Sequence, residues 1–292
     1  MSRLSPSSPL PQEPLSWMRD DIEQQLMFRG GRFTRVNSWC SFSLAVLMTG
    51  AFFAVLFPFR DHWIAGSFFF SRNRETPACI VFLSCWSVAI LALKWSKLRM
   101  QRRALSFAVV PDDPEFVLTP QNVDEVFRRM HECVDDARQF VVFHRITTAL
   151  ANLRNLGRVT DVDEILRAQN EADESSMETS YSLLSGFVWA IPVLGFIGTV
   201  EGLSIAIGGF GGVLASASDF ELVKTALQGV TGGLSTAFET TLHGLVAALV
   251  IQLTMTGLKK AEEEFLDACS EYCSKQIVSR LRLMPFELRG DE

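Results

Sequence analysis

The chain has 292 residues, is 48% hydrophobic, and carries 23 Phe, 2 Tyr and a formal net charge of −6. That balance excludes the basic footprint of a nucleic-acid partner. The apolar residues gather in four blocks, each near the roughly 20 residues that carry a helix across a bilayer, which excludes an ordinary soluble pair of domains.

In chain order, Pro6, Pro9, Pro11 and Pro14 stand among serines and give the first 14 residues the composition of a disordered tail. Leu15, Met18, Ile22 and Leu26 then share one helix stripe, with Asp20, Asp21 and Glu23 elsewhere on the wheel. This predicts a helix that lies on the inner membrane face or packs on the protein's own cytoplasmic part. Residues 1–37 form a cytoplasmic N-terminal segment on this reading. Ser41 to Phe59 holds no charge and predicts a first span over 38–59. Some forty residues precede it and its apolar core is too long for a secretory signal, so it reads as a true span. The periplasmic connection 60–75 contains "GSFFFSRNRET", too short for an external domain. Pro77 to Leu93 predicts a second span over 76–95.

Residues 96–182 are polar and predict a cytoplasmic helical domain. "VPDDPEFVLTP" opens it as a turn-rich linker. Val123, Phe127, Met130, Val134, Val141 and Leu150 lie near one face and predict a helix to Leu156, ended by Gly157. Thr160 stands as N-cap of "TDVD". No breaker follows before Gly186 and Pro192, so the helix from Asp161 is expected to run straight into a third span over 183–208. "GGFGG", Gly208 to Gly212, follows no strand and precedes no GK[ST]; it reads as an outer turn in a periplasmic loop over 209–232 rather than a phosphate loop. The fourth span covers 233–258 and continues into a cytoplasmic helical tail, 259–292. At about 1.5 Å per residue the third and fourth helices become rods of roughly 65–75 Å. The whole reads as an all-α polytopic membrane protein with four transmembrane helices and long cytoplasmic helical extensions.

Lys and Arg near the span ends set orientation. Arg19, Arg29, Arg32 and Arg35 precede the first span; Lys94, Lys97, Arg99, Arg102 and Arg103 follow the second; Lys259 and Lys260 follow the fourth. Only Lys224 lies between the third and fourth. Against Arg60, Arg72 and Arg74 in the first connection, the pattern favours both termini in the cytoplasm, with Trp39, Trp63, Trp95 and Trp189 near the interfaces. The six cysteines follow no disulfide or metal spacing and read as reduced packing thiols. His62, His131, His144 and His243 are scattered, so no enzyme site, metal or cofactor is expected.

Two spans carry the signal. In the third, Pro192, Gly195, Gly198, Thr199, Gly202 and Ala206 share a face of small residues; in the fourth, Ala237, Thr241, Gly244 and Ala248 do. Thr199 lies about nine residues from the outer end of its span and Thr241 about eight from the outer start of its own, so at about 1.5 Å per residue the hydroxyls are nearly level. Glu201 and Glu239 match in depth in the same way. Each projects away from its threonine, and Glu239 shares a face with His243 at i, i+4. A carboxylate in a span costs a few kcal/mol or more unless it is paired, protonated or wet. Glu201 and Glu239 therefore read either as partners in an intersubunit hydrogen bond or as groups that handle ions directly. Because Glu201 lies away from the threonine face, a structural bond is expected for it, with the face bearing Glu239 and His243 as its partner.

"PVLGFIGTVEGLSIAIGGF" followed by "GGLSTAFETTLHGLVAALV" resembles the MotA/TolQ/ExbB family of ion-driven motor subunits. The resemblance implies a bacterial inner-membrane proton or sodium channel subunit. It would act as a homo-oligomer, a pentamer, around a single-span partner of the ExbD/TolR/MotB type bearing a protonatable aspartate. The alternative is a non-conducting scaffold of the same fold. The family's pore-facing threonines fall on Thr199 and Thr241 and its third-span proline on Pro192. The small faces, Pro192, Gly195, Gly198, Gly202, Ala237, Gly244 and Ala248, would pack the partner helix. The four spans are as in MotA, whereas the motif wording is nearer TolQ and ExbB.

Overall fold

The computed structural model describes residues 15–26, 28, 30–59, 75–107, 109–110, 118–119, 122–156, 159–216 and 220–281. Helices dominate: α1 (Trp17–Asp20), α2 (Ile22–Gln25), α3 (Ser38–Leu56), α4 (Glu75–Ala104), α5 (Val123–Cys133), α6 (Val141–Leu156), α7 (Val159–Ser180), α8 (Ser182–Ser216) and α9 (Phe220–Gln276). Among the described residues β-pairing is confined to two isolated bridges, Leu15 with Val134 and Leu118 with Leu281. Among the described residues four helical stretches are long and apolar enough to cross a membrane: Ser38–Phe59, Glu75–Ala104, Val162–Gly208 and Val223–Arg280. The chain is thus an all-α polytopic membrane protein.

It divides into two compact units. The apolar unit comprises Ser38–Leu93 and Tyr181–Leu258. Its surface is inverted relative to a soluble domain: Leu47, Val55, Phe196, Leu242, Leu245 and Leu249 are exposed, while Ala45, Ser87, Ala89 and Ala237 are buried. In lipid the outward side chains meet a solvent as apolar as themselves, so small residues and hydrogen bonds hold such helices together. One junction is aromatic. Trp86 packs on Phe42 and Phe187 with ring centroids 5.2 and 4.9 Å apart, and its indole N–H donates to Ser41 Oγ at 3.1 Å.

The polar unit comprises Met1–Asn37, Lys94–Ser180 and Lys259–Glu292. Val126, Met130, Phe140, Phe143, Ile146 and Leu150 are buried at its centre. The helix expected from Val123 to Leu156 is here two, because the chain between them is capped from outside. Asp136 Oδ1 accepts the Arg138 N–H at 3.0 Å, Gln101 Oε1 accepts the Val141 N–H at 3.1 Å, and Gln101 Nε2 donates to the Gln139 carbonyl at 2.7 Å. Val134 and Val141 remain buried but Phe127 is only half-buried. Gly157, expected to end this helix, lies outside the described residues, and α7 starts one residue before the expected cap, Thr160.

The single N-terminal helix is likewise replaced by α1 and α2, broken at Asp21, which is extended at φ −85° and ψ 118° and caps Glu23. Of the expected apolar stripe, Leu15 is buried while Met18, Ile22 and Leu26 are exposed, so the stripe does not pack on the polar unit as a whole. Met18 is 73% exposed, whereas Trp17 is 3% exposed. Asp135 sets that phase: it accepts Ser16 Oγ–H and the Trp17 N–H, each at 2.9 Å.

Two further expectations change. The helix from Asp161 does not run unbroken into the third span; a turn at Tyr181 separates α7 from α8. Thr179 and Ser180 bond back to the Ser175 and Met177 carbonyls at 2.8 and 2.6 Å, a pattern that bends helices. The glycine run Gly208–Gly212 is helical as well, since α8 continues to Ser216 and α9 begins at Phe220.

Candidate functional site

The site lies where α8 meets α9 inside the apolar unit. Small residues let the two backbones approach. A Cβ placed on Gly195 would stand 3.1 Å from the Cα of Thr241 and 3.3 Å from the Thr240 carbonyl oxygen. Both are backbone atoms, so even alanine would force the helices apart. Gly202 faces Ala237, and Gly244 faces the carbonyl of Ile191 and the Cα of Gly195, in the same close contact. Ala237 and Ala248 are buried. Of the residues expected to pack a partner's helix, Gly195, Gly198, Gly202, Ala237 and Gly244 meet across α8 and α9 within the chain. Pro192 sits inside α8, half-buried, and removes the N–H that would bond the Val188 carbonyl.

This approach brings Thr199 and Thr241 together. Their hydroxyls are in direct contact. Both also reach one acceptor, the Gly195 carbonyl, from Thr199 Oγ1 at 3.1 Å and from Thr241 Oγ1 at 2.9 Å. Each hydroxyl has one proton to donate, so two protons serve three contacts. Both side chains are half-buried, closed on one side by glycine backbone and open on the other.

The carboxylates stand apart from this cluster. Glu201 is exposed on the single chain. Glu239 is half-buried and its Oε1 accepts the Ser235 hydroxyl at 3.4 Å; His243 is half-buried one turn further along α9. Among the described residues no group of His, Cys, Asp and Glu has the arrangement of a metal site.

Sequence reasoning missed two residues. Thr76, at the start of α4, and Thr240 are both buried, and a Cβ on Gly198 would lie 3.1 and 2.7 Å from their methyl groups. Gly198 is therefore a meeting point of three helices. The signal was present in the pair Thr240–Thr241: neighbours on a helix point about 100° apart, so one can face α8 while the other fills a second contact.

Four membrane-length helices among the described residues, with a hydroxyl cluster between the last two, define a polytopic helical membrane protein. Residues 142–270, a stretch that includes both threonines, match the family model of the MotA/TolQ/ExbB proton channel family. No curated protein and no solved structure gives a match to the chain.

Proposed function

We propose that the protein is an inner-membrane proton or sodium channel subunit that converts ion-motive force into mechanical work. It assembles as a homo-oligomer, a pentamer, around a single-span partner of the ExbD/TolR/MotB type, with both termini cytoplasmic. The observation that carries this reading is the convergence of the Thr199 and Thr241 hydroxyls on the Gly195 carbonyl. Such a cluster offers donors and acceptors at one depth in an otherwise apolar span. A partner aspartate passing its open side exchanges its proton against hydroxyls and water rather than hydrocarbon. One charge crossing about 100 mV is worth about 2.3 kcal/mol, enough to bias a conformational step.

On this reading the glycine contacts set the spacing of α8 and α9, and the partner helix packs along the open edge of the pair, beside Pro192 and Ala248. Glu201 supports assembly. A carboxylate facing lipid at mid-span costs roughly 2.5–3.5 kcal/mol or more, a cost that an adjoining copy removes by supplying a hydrogen-bond partner. Glu239 and His243 provide a polar face for that role.

One observation favours the alternative, a non-conducting scaffold: the two hydroxyls are already satisfied within the chain and could serve only to clasp α8 to α9. Proteoliposomes containing the chain and its co-purified single-span partner separate the two. The channel reading expects proton or sodium flux in the wild type, abolished by Thr199→Val and by Thr241→Val with the complex still assembled. Absence of flux from an intact wild-type complex, or unchanged flux in both variants, refutes it.

A further inference from the structure

The segment that leads into α3 is held by a buried cluster in which acids outnumber bases. Lys97, on α4, is 2% exposed. Its ammonium donates to Glu23 Oε2 at 2.6 Å and to the carbonyls of Gly31 and Arg35 at 3.1 and 2.8 Å. All three donors are therefore occupied. Glu23 is fully buried and accepts two backbone N–H groups besides, Gly31 at 3.0 Å and Asn37 at 2.8 Å. That one carboxylate ties residues 23 to 37 together and fixes the residue just before α3.

Asp21 is the second acid, also 2% exposed. Its Oδ1 accepts the Glu23 N–H at 3.2 Å. Its Oδ2 has no hydrogen bond and lies 3.7 Å from the Lys97 ammonium. A Cβ on Gly30 would meet Asp21 Oδ2 at 2.5 Å and Glu23 Oε2 at 3.5 Å, so the two carboxylates border one small space. The groups facing it are Lys97 from α4, Glu23 from α2, and the Trp17 ring of α1, whose centroid is 5.7 Å from the ammonium. Lys94, on the same face of α4, is matched by Glu262. Two buried carboxylates thus share one available ammonium.

We propose that Asp21, Glu23 and Lys97 form a proton-operated latch: one proton held by the carboxylate pair balances Lys97 and closes residues 15–37 onto α4, and its loss leaves an uncompensated buried anion that loosens the segment. The electrostatics agree with the geometry. Burial raises the Asp21 carboxyl above its ordinary range, outweighing the opposing pull of Lys97. A carboxyl whose folded value is raised stabilises the docked form fully below its ordinary value of about 4. That contribution is lost as pH rises through the folded value. The latch therefore tightens as acid accumulates around the polar unit. It does so whether or not ions pass between α8 and α9.

Hydrogen–deuterium exchange of the full chain in lipid nanodiscs tests this, from the ordinary carboxylate value of about pH 4 up to about pH 8, after correction for intrinsic exchange. Protection of peptides within residues 15–37 should fall by about threefold or more as pH rises through this window, with no parallel change in α5 and α6. Asp21→Asn, which keeps the shape without the charge, should hold the segment equally protected at every pH. Lys97→Met should leave it unprotected throughout. A wild-type slope retained in Asp21→Asn, or no slope confined to this segment, overturns the proposal.

Discussion

Removing Glu262 from the polar unit should unfold it far more easily than removing Glu262 together with Lys94. The Lys94 ammonium lies 3.3 Å from both carboxylate oxygens of Glu262, and each residue is 1% exposed. In Glu262→Ala the ammonium loses the anion that balances it and cannot reach water, and breaking a buried pair in this way costs about 3–5 kcal/mol. Replacing both, as Lys94→Met with Glu262→Leu, leaves apolar groups of similar volume, and such exchanges are neutral or stabilising by about 1–4 kcal/mol. The two partners are 168 residues apart in sequence, so the effect reports tertiary packing rather than local helix propensity. Denaturant unfolding of the purified protein in detergent, as a double-mutant cycle, should return a coupling energy of about 2 kcal/mol or more. Additive single substitutions, or a Glu262→Ala cost under about 1 kcal/mol, would refute the assignment of a desolvated, mutually dependent pair.

Other outcomes follow from the same geometry. Gly195→Ala should lower stability by about 1–3 kcal/mol, since its Cβ meets backbone at 3.1 Å; Gly257→Ala, with nothing within 4 Å, should be neutral or gain up to about 1 kcal/mol, and thermal melts of the pair check this. Arg145→Lys should not restore what Arg145→Ala loses, because the guanidinium serves Asp173 through Nε at 2.8 Å and Ser270 through Nη1 at 2.9 Å, a fork that lysine lacks; unfolding midpoints of both variants decide it. Burial resists ionisation of Asp135, yet the Trp17 N–H, the Ser16 hydroxyl and the Met18 N–H together hold its carboxyl below the ordinary range. Its folded value is depressed, so docking of residues 15–18 is at full strength above about pH 4 and is lost as pH falls through the folded value. Limited proteolysis at Arg19 should therefore accelerate in strong acid and, at neutral pH, in Asp135→Ala.

The spans were legible because lipid demands continuous apolar helix, a constraint written locally in Ser41 to Phe59 and Pro77 to Leu93. The meeting of Thr199 and Thr241 was legible because helix rise converts residue counts into depth. The polar unit was not, since its breaks are stabilised from afar: Asp135 holds Ser16 across 119 residues, and Gln101 holds Val141 across 40. No periodicity in a single segment carries that information. Lys94 and Lys97 were read as orienting charges flanking a span, while Glu262 and Glu23 neutralise them in the fold. Gly208–Gly212 misled in the other direction: its composition signals a turn, yet α8 continues through it to Ser216.

Two protons distributed over three oxygen contacts give the Thr199–Thr241–Gly195 cluster more than one electrical sense for a single set of heavy-atom positions. Passing from one sense to another requires only that hydroxyls spin about their C–O bonds. Reversing the direction in which the cluster points its dipole therefore takes no helix movement and proceeds on the timescale of a single side-chain rotation.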